Sequence, residues 1–133
     1  MKNSKIYKTK VSDIRIDEEG ILWVTSMRLC EIDLEEAMAC FEIYKKLGCD
    51  QKKVLQLMDF RNNVTITKEA RDYVSIHGKN YFIASALVSD SLAARIMVNF
   101  FNKFYKNPVP FKMFGDFDSA LKWLRAHKKK SKF

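Results

Sequence analysis

Histidine, proline, cysteine and glycine are all scarce in this chain of 133 residues: two, two, three and four. The only histidines, His77 and His127, offer little for imidazole acid–base or metal chemistry. Four glycines leave little room for a loop that cradles phosphate, and no Gly-x-Ser-x-Gly, His-Glu-x-x-His or Gly-rich phosphate motif occurs. The prolines, Pro108 and Pro110, mark one loop, and no repeat, low-complexity segment or Pro/Gly-rich linker divides the chain. It therefore reads as a single domain, 1–133. No apolar run approaches the ~18 residues of a transmembrane helix. Tyr7, Lys8, Thr9 and Lys10 interrupt the start too early for a signal peptide. Cys30, Cys40 and Cys49 match no zinc spacing and read as reduced thiols. The expectation is a cytoplasmic protein without metal or other cofactor.

What is present is an ordinary globular composition, 47% apolar and 13% aromatic, with a net charge of +8. That charge lies at the ends. Residues 1–10 hold four lysines and no acid; residues 125–133 hold Arg125, Lys128, Lys129, Lys130 and Lys132, again with no acid. Taking these nine from +8 leaves −1 for residues 11–124. The body is near neutral between basic, partly flexible ends, and no specific nucleic-acid binding is expected of it.

Period and punctuation give the elements. Residues 5–10 read as an irregular first strand. Residues 13–17 alternate, 17–20 turn on Gly20, and 21–27 return, which makes a β-hairpin. Asp33 with Glu36 forms a capping box for a helix that Gly48 stops. Residues 53–59 and 82–88 read as buried strands. Thr67 caps a short helix from Lys68 to His77, closed by Gly78. Ser89 or Asp90 caps a long helix, 91–106, ended by Pro108 and Pro110. A short strand, 111–114, precedes a helix over 117–128 capped by Asp116. Strand–helix alternation after the hairpin predicts an α/β fold: a mixed, largely parallel sheet with an N-terminal hairpin and four helices.

The stretches Leu57-Met-Asp-Phe-Arg61, Thr67-Lys-Glu-Ala-Arg71, Ala84-Ser-Ala-Leu-Val88, Arg95-Ile-Met-Val-Asn-Phe-Phe101, Pro110-Phe-Lys-Met-Phe114 and Ala120-Leu-Lys-Trp-Leu124 occur in an order and spacing that resemble the STAS domain. The likeness covers about residues 53–124. It points to anti-sigma-factor antagonists, and more specifically to STAS/SEC14-like bacterial proteins of unknown function. The antagonist resemblance implies a regulatory protein-interaction module, with a hydroxyl at the start of the helix after the central strand phosphorylated by a partner kinase. A phosphate there meets free backbone N–H groups and the positive end of the helix dipole. The family's Asp-Ser-x-Gly pattern is absent; Thr65 and Thr67 are the hydroxyls of this loop. Both are phospho-acceptor candidates, and Thr67 has the alternative role of a plain N-cap. The SEC14-like side implies a lipid or small apolar ligand.

Asp59, Arg61, Asn62 and Asn63 make the candidate docking loop at the carboxyl end of a central strand, where open α/β sheets bind ligands. Asp59 has a structural alternative, pairing with Arg61 or Arg71. The helix at 91–106 is apolar around most of its circumference, more than packing on a sheet requires. Met97, Phe100, Phe101 and Phe104 are candidates for a homodimer interface or the wall of an apolar pocket. A non-enzymatic interaction module, a homodimer with a further protein partner, comes first; an apolar-ligand binder is the alternative. An enzyme built on Asp59 comes last.

Overall fold

The structure is a computed structural model, which describes residues 5–27, 30–61, 64–105 and 108–130. Strands β1 (Tyr7–Lys8), β2 (Ser12–Ile16) and β3 (Leu22–Ser26) run antiparallel. Strands β5 (Val54–Asp59), β7 (Phe82–Val88) and β8 (Phe111–Phe114) continue the sheet in parallel from β3, in the order β1-β2-β3-β5-β7-β8. Two strands not read from the sequence, β4 (Glu31–Ile32) and β6 (Thr65–Ile66), pair parallel with each other. The helices are α1 (Leu34–Lys46), α2 (Lys68–His77), α3 (Leu92–Phe104) and α4 (Phe117–Lys130). The mixed, largely parallel sheet with a leading hairpin and four helices is as the sequence predicts. The irregular first strand shrinks to two residues.

Local chemistry sets the boundaries. In the hairpin, Gly20 takes φ +83°, and Asp17 Oδ1 accepts from the N–H groups of Glu19 and Ile21, at 2.9 Å each. Asp33 caps α1 by accepting from Glu36 N–H at 2.9 Å, but the capping box is half made. The Glu36 side chain does not reach back; it accepts from the Thr9 hydroxyl and the Cys40 thiol. At the other end Cys49 N–H bonds Tyr44 O and Gly48 N–H bonds Lys45 O, with Gly48 at φ +85°. That is a Schellman stop. Gly78 closes α2 differently, staying at φ −58° and opening a 3₁₀ turn over Gly78–Asn80. The cap of α3 is Ser91, not Ser89 or Asp90: its hydroxyl accepts from Ala94 N–H at 3.0 Å. Asp116 caps α4 through Ser119 N–H at 2.7 Å.

Alternation on the central strands sends side chains to two faces. Leu55 and Leu57 of β5, with Ala84, Ala86 and Val88 of β7, meet Ala120 and Leu124 of α4. The opposite face is covered by α1, α2 and α3. There Leu22 and Val24 pack on Phe41 and Tyr44, while Leu87 packs on Ala70, Ala94 and Val98. The pairing shifts between Val54–Phe82 and Leu55–Ala84, so Ile83 is an extra residue in β7. Ile83 and Ala84 therefore both belong to the α4 side. The basic run is helical to Lys130. Arg125 makes a two-pronged pair with Glu19, Nη2 to Oε1 at 2.8 Å, and Lys128 donates to Glu19 O at 3.0 Å. His127 stacks edge-on against Trp123.

Candidate functional site

The segments before α1 and α2 hold each other. Thr65 N–H bonds Cys30 O at 3.0 Å and Thr67 N–H bonds Ile32 O at 2.9 Å, so the short β4–β6 ladder fixes the start of α2. Thr67 Oγ1 accepts from Ala70 N–H at 3.2 Å, the N-cap geometry. Thr67 is half-buried, whereas Thr65 is exposed on β6. Asp59 ends β5 on the α4 side, and Arg61 follows in the turn after it. Asp59 is buried and accepts from Arg61 Nε at 2.8 Å and Nη2 at 3.0 Å. The paired carboxylate holds the guanidinium above its ordinary range. Arg61 also lies 4.6 Å over the Phe117 ring. Asp59 thus has the structural partner Arg61 rather than Arg71. Asn62 and Asn63 lie outside the described residues.

Helix α3 divides the four residues expected to act together. Phe101 is buried and Met97 half-buried, both facing the sheet. Phe100 and Phe104 point out. With Leu92 and Ile96 they form a stripe at four-residue spacing, exposed by 71% (Leu92), 60% (Ile96), 43% (Phe100) and 60% (Phe104). The rings of Phe100 and Phe104 pack 4.6 Å apart. This stripe borders α2. Arg71 lies 5.9 Å over the Phe100 ring, and the Tyr105 hydroxyl donates to Asp72 Oδ1 at 2.8 Å. The Tyr105 bond and the Lys68 ammonium at 3.0 Å hold the Asp72 carboxyl below its ordinary range. The Thr67 end of α2 and the outer face of α3 consequently form one surface.

Beneath it, between α2, α3 and the sheet, lies a partly open cavity of about 70 Å³. Its wall is mostly apolar, with Met58, Phe82, Leu87, Met97 and Phe101. Three polar residues interrupt it: Gln56, Ser85 and Arg71. Gln56 does not stand out in the sequence, because it sits inside an apolar strand, and Arg71 enters the sequence reading only as a possible partner of Asp59. Among the described residues, no group of three or more His, Cys, Asp or Glu is placed to hold a metal. The three cysteines are free; burial pushes Cys40 up to about 12 and Cys49 to about 11, which makes both poor nucleophiles. No helix among the described residues is long and apolar enough to cross a membrane.

Comparison places this arrangement among known folds. The profile of a family described as a domain of unknown function, DUF7793, matches residues 14–128. No curated protein matches the chain. An uncharacterized DUF3478-family protein with a SpoIIAA-like fold from Shewanella loihica PV-4 superposes with a TM-score of 0.59 at 17% identity, covering 92% of each chain. The anti-sigma factor antagonist SpoIIAA, in its unphosphorylated form, superposes with a TM-score of 0.53 at 10% identity, covering 92% of this chain and 98% of its own. The fold is STAS-like, as the sequence resemblance implies.

Proposed function

The chain belongs to the DUF7793 family, and we propose that it is a non-enzymatic regulatory module that docks a protein partner through α2 and α3. The observation that carries this reading is the exposed stripe Leu92, Ile96, Phe100 and Phe104, set beside the Thr67 end of α2. Four large apolar side chains in one row on a helix make a contiguous patch of the kind that marks interaction sites. The likeness to an anti-sigma factor antagonist supports the class. Thr65 and Thr67 are the phospho-acceptor candidates. A phosphate on Thr67 would sit at the positive end of α2, one turn before Arg71, and would change the charge beside the stripe. A partner kinase and a homodimer through α3 belong to the same proposal.

The test is site-specific photo-crosslinking from position 104 in the native host, beside sedimentation of the pure protein. Crosslinks to one defined protein, lost in an Ile96→Glu variant that still folds, support a heterologous partner. A dimer that Ile96→Glu converts to monomer makes the partner a second copy. A monomer that crosslinks to nothing in its own host sinks the reading. Phosphate mapping on the same material decides between Thr67, Thr65 and no modification.

A further inference from the structure

The cavity beneath the docking surface carries a separate inference, independent of any protein partner. Its wall is mainly apolar, yet Arg71 contributes a charged group whose hydrogen-bonding capacity is unfilled. Arg71 Nη1 donates to Ile66 O at 2.9 Å, while the buried Nε has no partner. A buried, unmatched donor on a cation is costly and is normally matched by an acceptor. No salt bridge to Arg71 occurs among the described residues, in contrast to Arg61 and Arg125, which each grip a carboxylate. Across the sheet floor, the Ser85 hydroxyl donates to Gln56 Oε1 at 2.8 Å, and Gln56 Nε2 reaches the Tyr44 hydroxyl only at 3.5 Å. Gln56 and Ser85 are register partners on β5 and β7, so both meet the cavity from one level of the sheet.

Apolar walls, one unsatisfied guanidinium donor and an opening to solvent describe a receptor for a small amphiphile. We propose that the cavity between α2, α3 and the sheet binds a small carboxylic acid, its apolar body against Met97, Phe101 and Leu87 and its carboxylate on Arg71. A neutral apolar guest would leave Arg71 Nε unpaired, and a cationic one would meet a like charge. A cavity of about 70 Å³ has room for roughly five water-sized groups, which sets the scale at a short aliphatic or single-ring acid rather than a full lipid chain. Met97 is a flexible wall that adapts to the guest's shape.

The probes are hexanoate, 1-hexanol and hexylammonium, each titrated into isotope-labelled full-length protein and followed by amide shifts. Hexanoate is expected to give saturable shifts centred on Met58, Leu87 and Phe101, which line the cavity, and to bind at least tenfold more tightly than hexanol or hexylammonium. Arg71→Met should remove that tenfold preference while hexanol binding persists. Met97→Trp, which fills the cavity, should abolish all binding. Should Met97→Trp fail to fold, the Arg71→Met comparison and the location of the shifts still decide. The proposal is overturned by hexanol binding as tightly as hexanoate, by a preference that survives Arg71→Met, by shifts away from the cavity, or by no saturable shift at all.

Discussion

On the α4 side of the sheet, Leu55, Leu57, Ala84 and Ala86 meet Ala120 and Leu124, and each of these six is at most 3% exposed. On the other side the same two strands present Gln56 and Ser85 to a cavity, and three helices share the cover. Ser12, Ser26 and Glu36 add buried polar groups on that side, bonded among neighbours: Ser12 Oγ lies 3.3 Å from Ser26 Oγ, and Glu36 accepts from Thr9. One helix closing on small and branched residues excludes water and fixes the sheet. Three helices covering a polar-seeded face leave room. The same strands therefore serve stability on one side and leave the candidate site on the other.

The sharpest way to break this contrast is to cut the tight side. Leu124→Ala removes a fully buried side chain, and is expected to cost about 2–5 kcal/mol, read as a lower urea midpoint at unchanged slope. Cys40 and Cys49 report the same change chemically. Both are buried, with thiols raised to about 12 and about 11, so alkylation near pH 8 proceeds through opening of the structure. Their labelling should accelerate in Leu124→Ala, whereas half-buried Cys30 reacts first in both proteins. Equal rates for all three thiols would contradict the burial.

On the open side the expected penalty is polar rather than volumetric. Gln56→Leu leaves the Ser85 hydroxyl without its acceptor and removes the 3.5 Å contact to the Tyr44 hydroxyl, at about 1–3 kcal/mol. Adding Ser85→Ala should recover part of that loss, since one orphan disappears with it. A double variant no more stable than Gln56→Leu alone would show that the pair is not coupled.

The outward stripe should contribute almost nothing to folding. Ile96→Gln is expected to change the stability of the isolated protein by no more than about 0.5 kcal/mol, measured by urea unfolding. A loss of several times that size would mean that Ile96 is already covered, as by a second copy, in the state measured.

The tight side was the more legible of the two in the sequence. Period, caps and prolines located the four helices, the main strands and the stops at Gly20 and Gly48, because each rests on a local rule. Asp33, Thr67 and Asp116 cap as their positions imply. The β4–β6 pair was not legible, since two-residue strands have no period to detect. The excess of apolar residues on α3 was visible, but its division was not: which of Met97, Phe100, Phe101 and Phe104 turn inward depends on how α3 sits on β8 and α2. Gln56 was lost inside an apolar run. Arg71 read only as a possible partner of Asp59, and its place on the cavity wall, with Nη1 on Ile66 O and Nε unpaired, follows from tertiary packing.

The smallest expected effect lies where α3 is tied to α2. Tyr105→Phe keeps the ring stacked on Phe101, whose centroid is 4.7 Å away, and deletes only the hydroxyl that donates to Asp72. That bond is the leading reason the Asp72 carboxyl titrates below its ordinary value of 3.8, with Lys68 next. A carboxyl depressed in the folded state stabilises it once pH exceeds the unfolded value, and the contribution is lost as pH falls through the folded value. Wild type should therefore be slightly more stable than Tyr105→Phe at pH 7, with the gap shrinking as pH falls below 3.8. Asp72→Asn should show no such pH-dependent gap when Tyr105→Phe is added to it. A gap between wild type and Tyr105→Phe that stays constant from pH 7 to pH 3 would mean that the hydroxyl ties α3 to α2 through packing and not through the Asp72 charge.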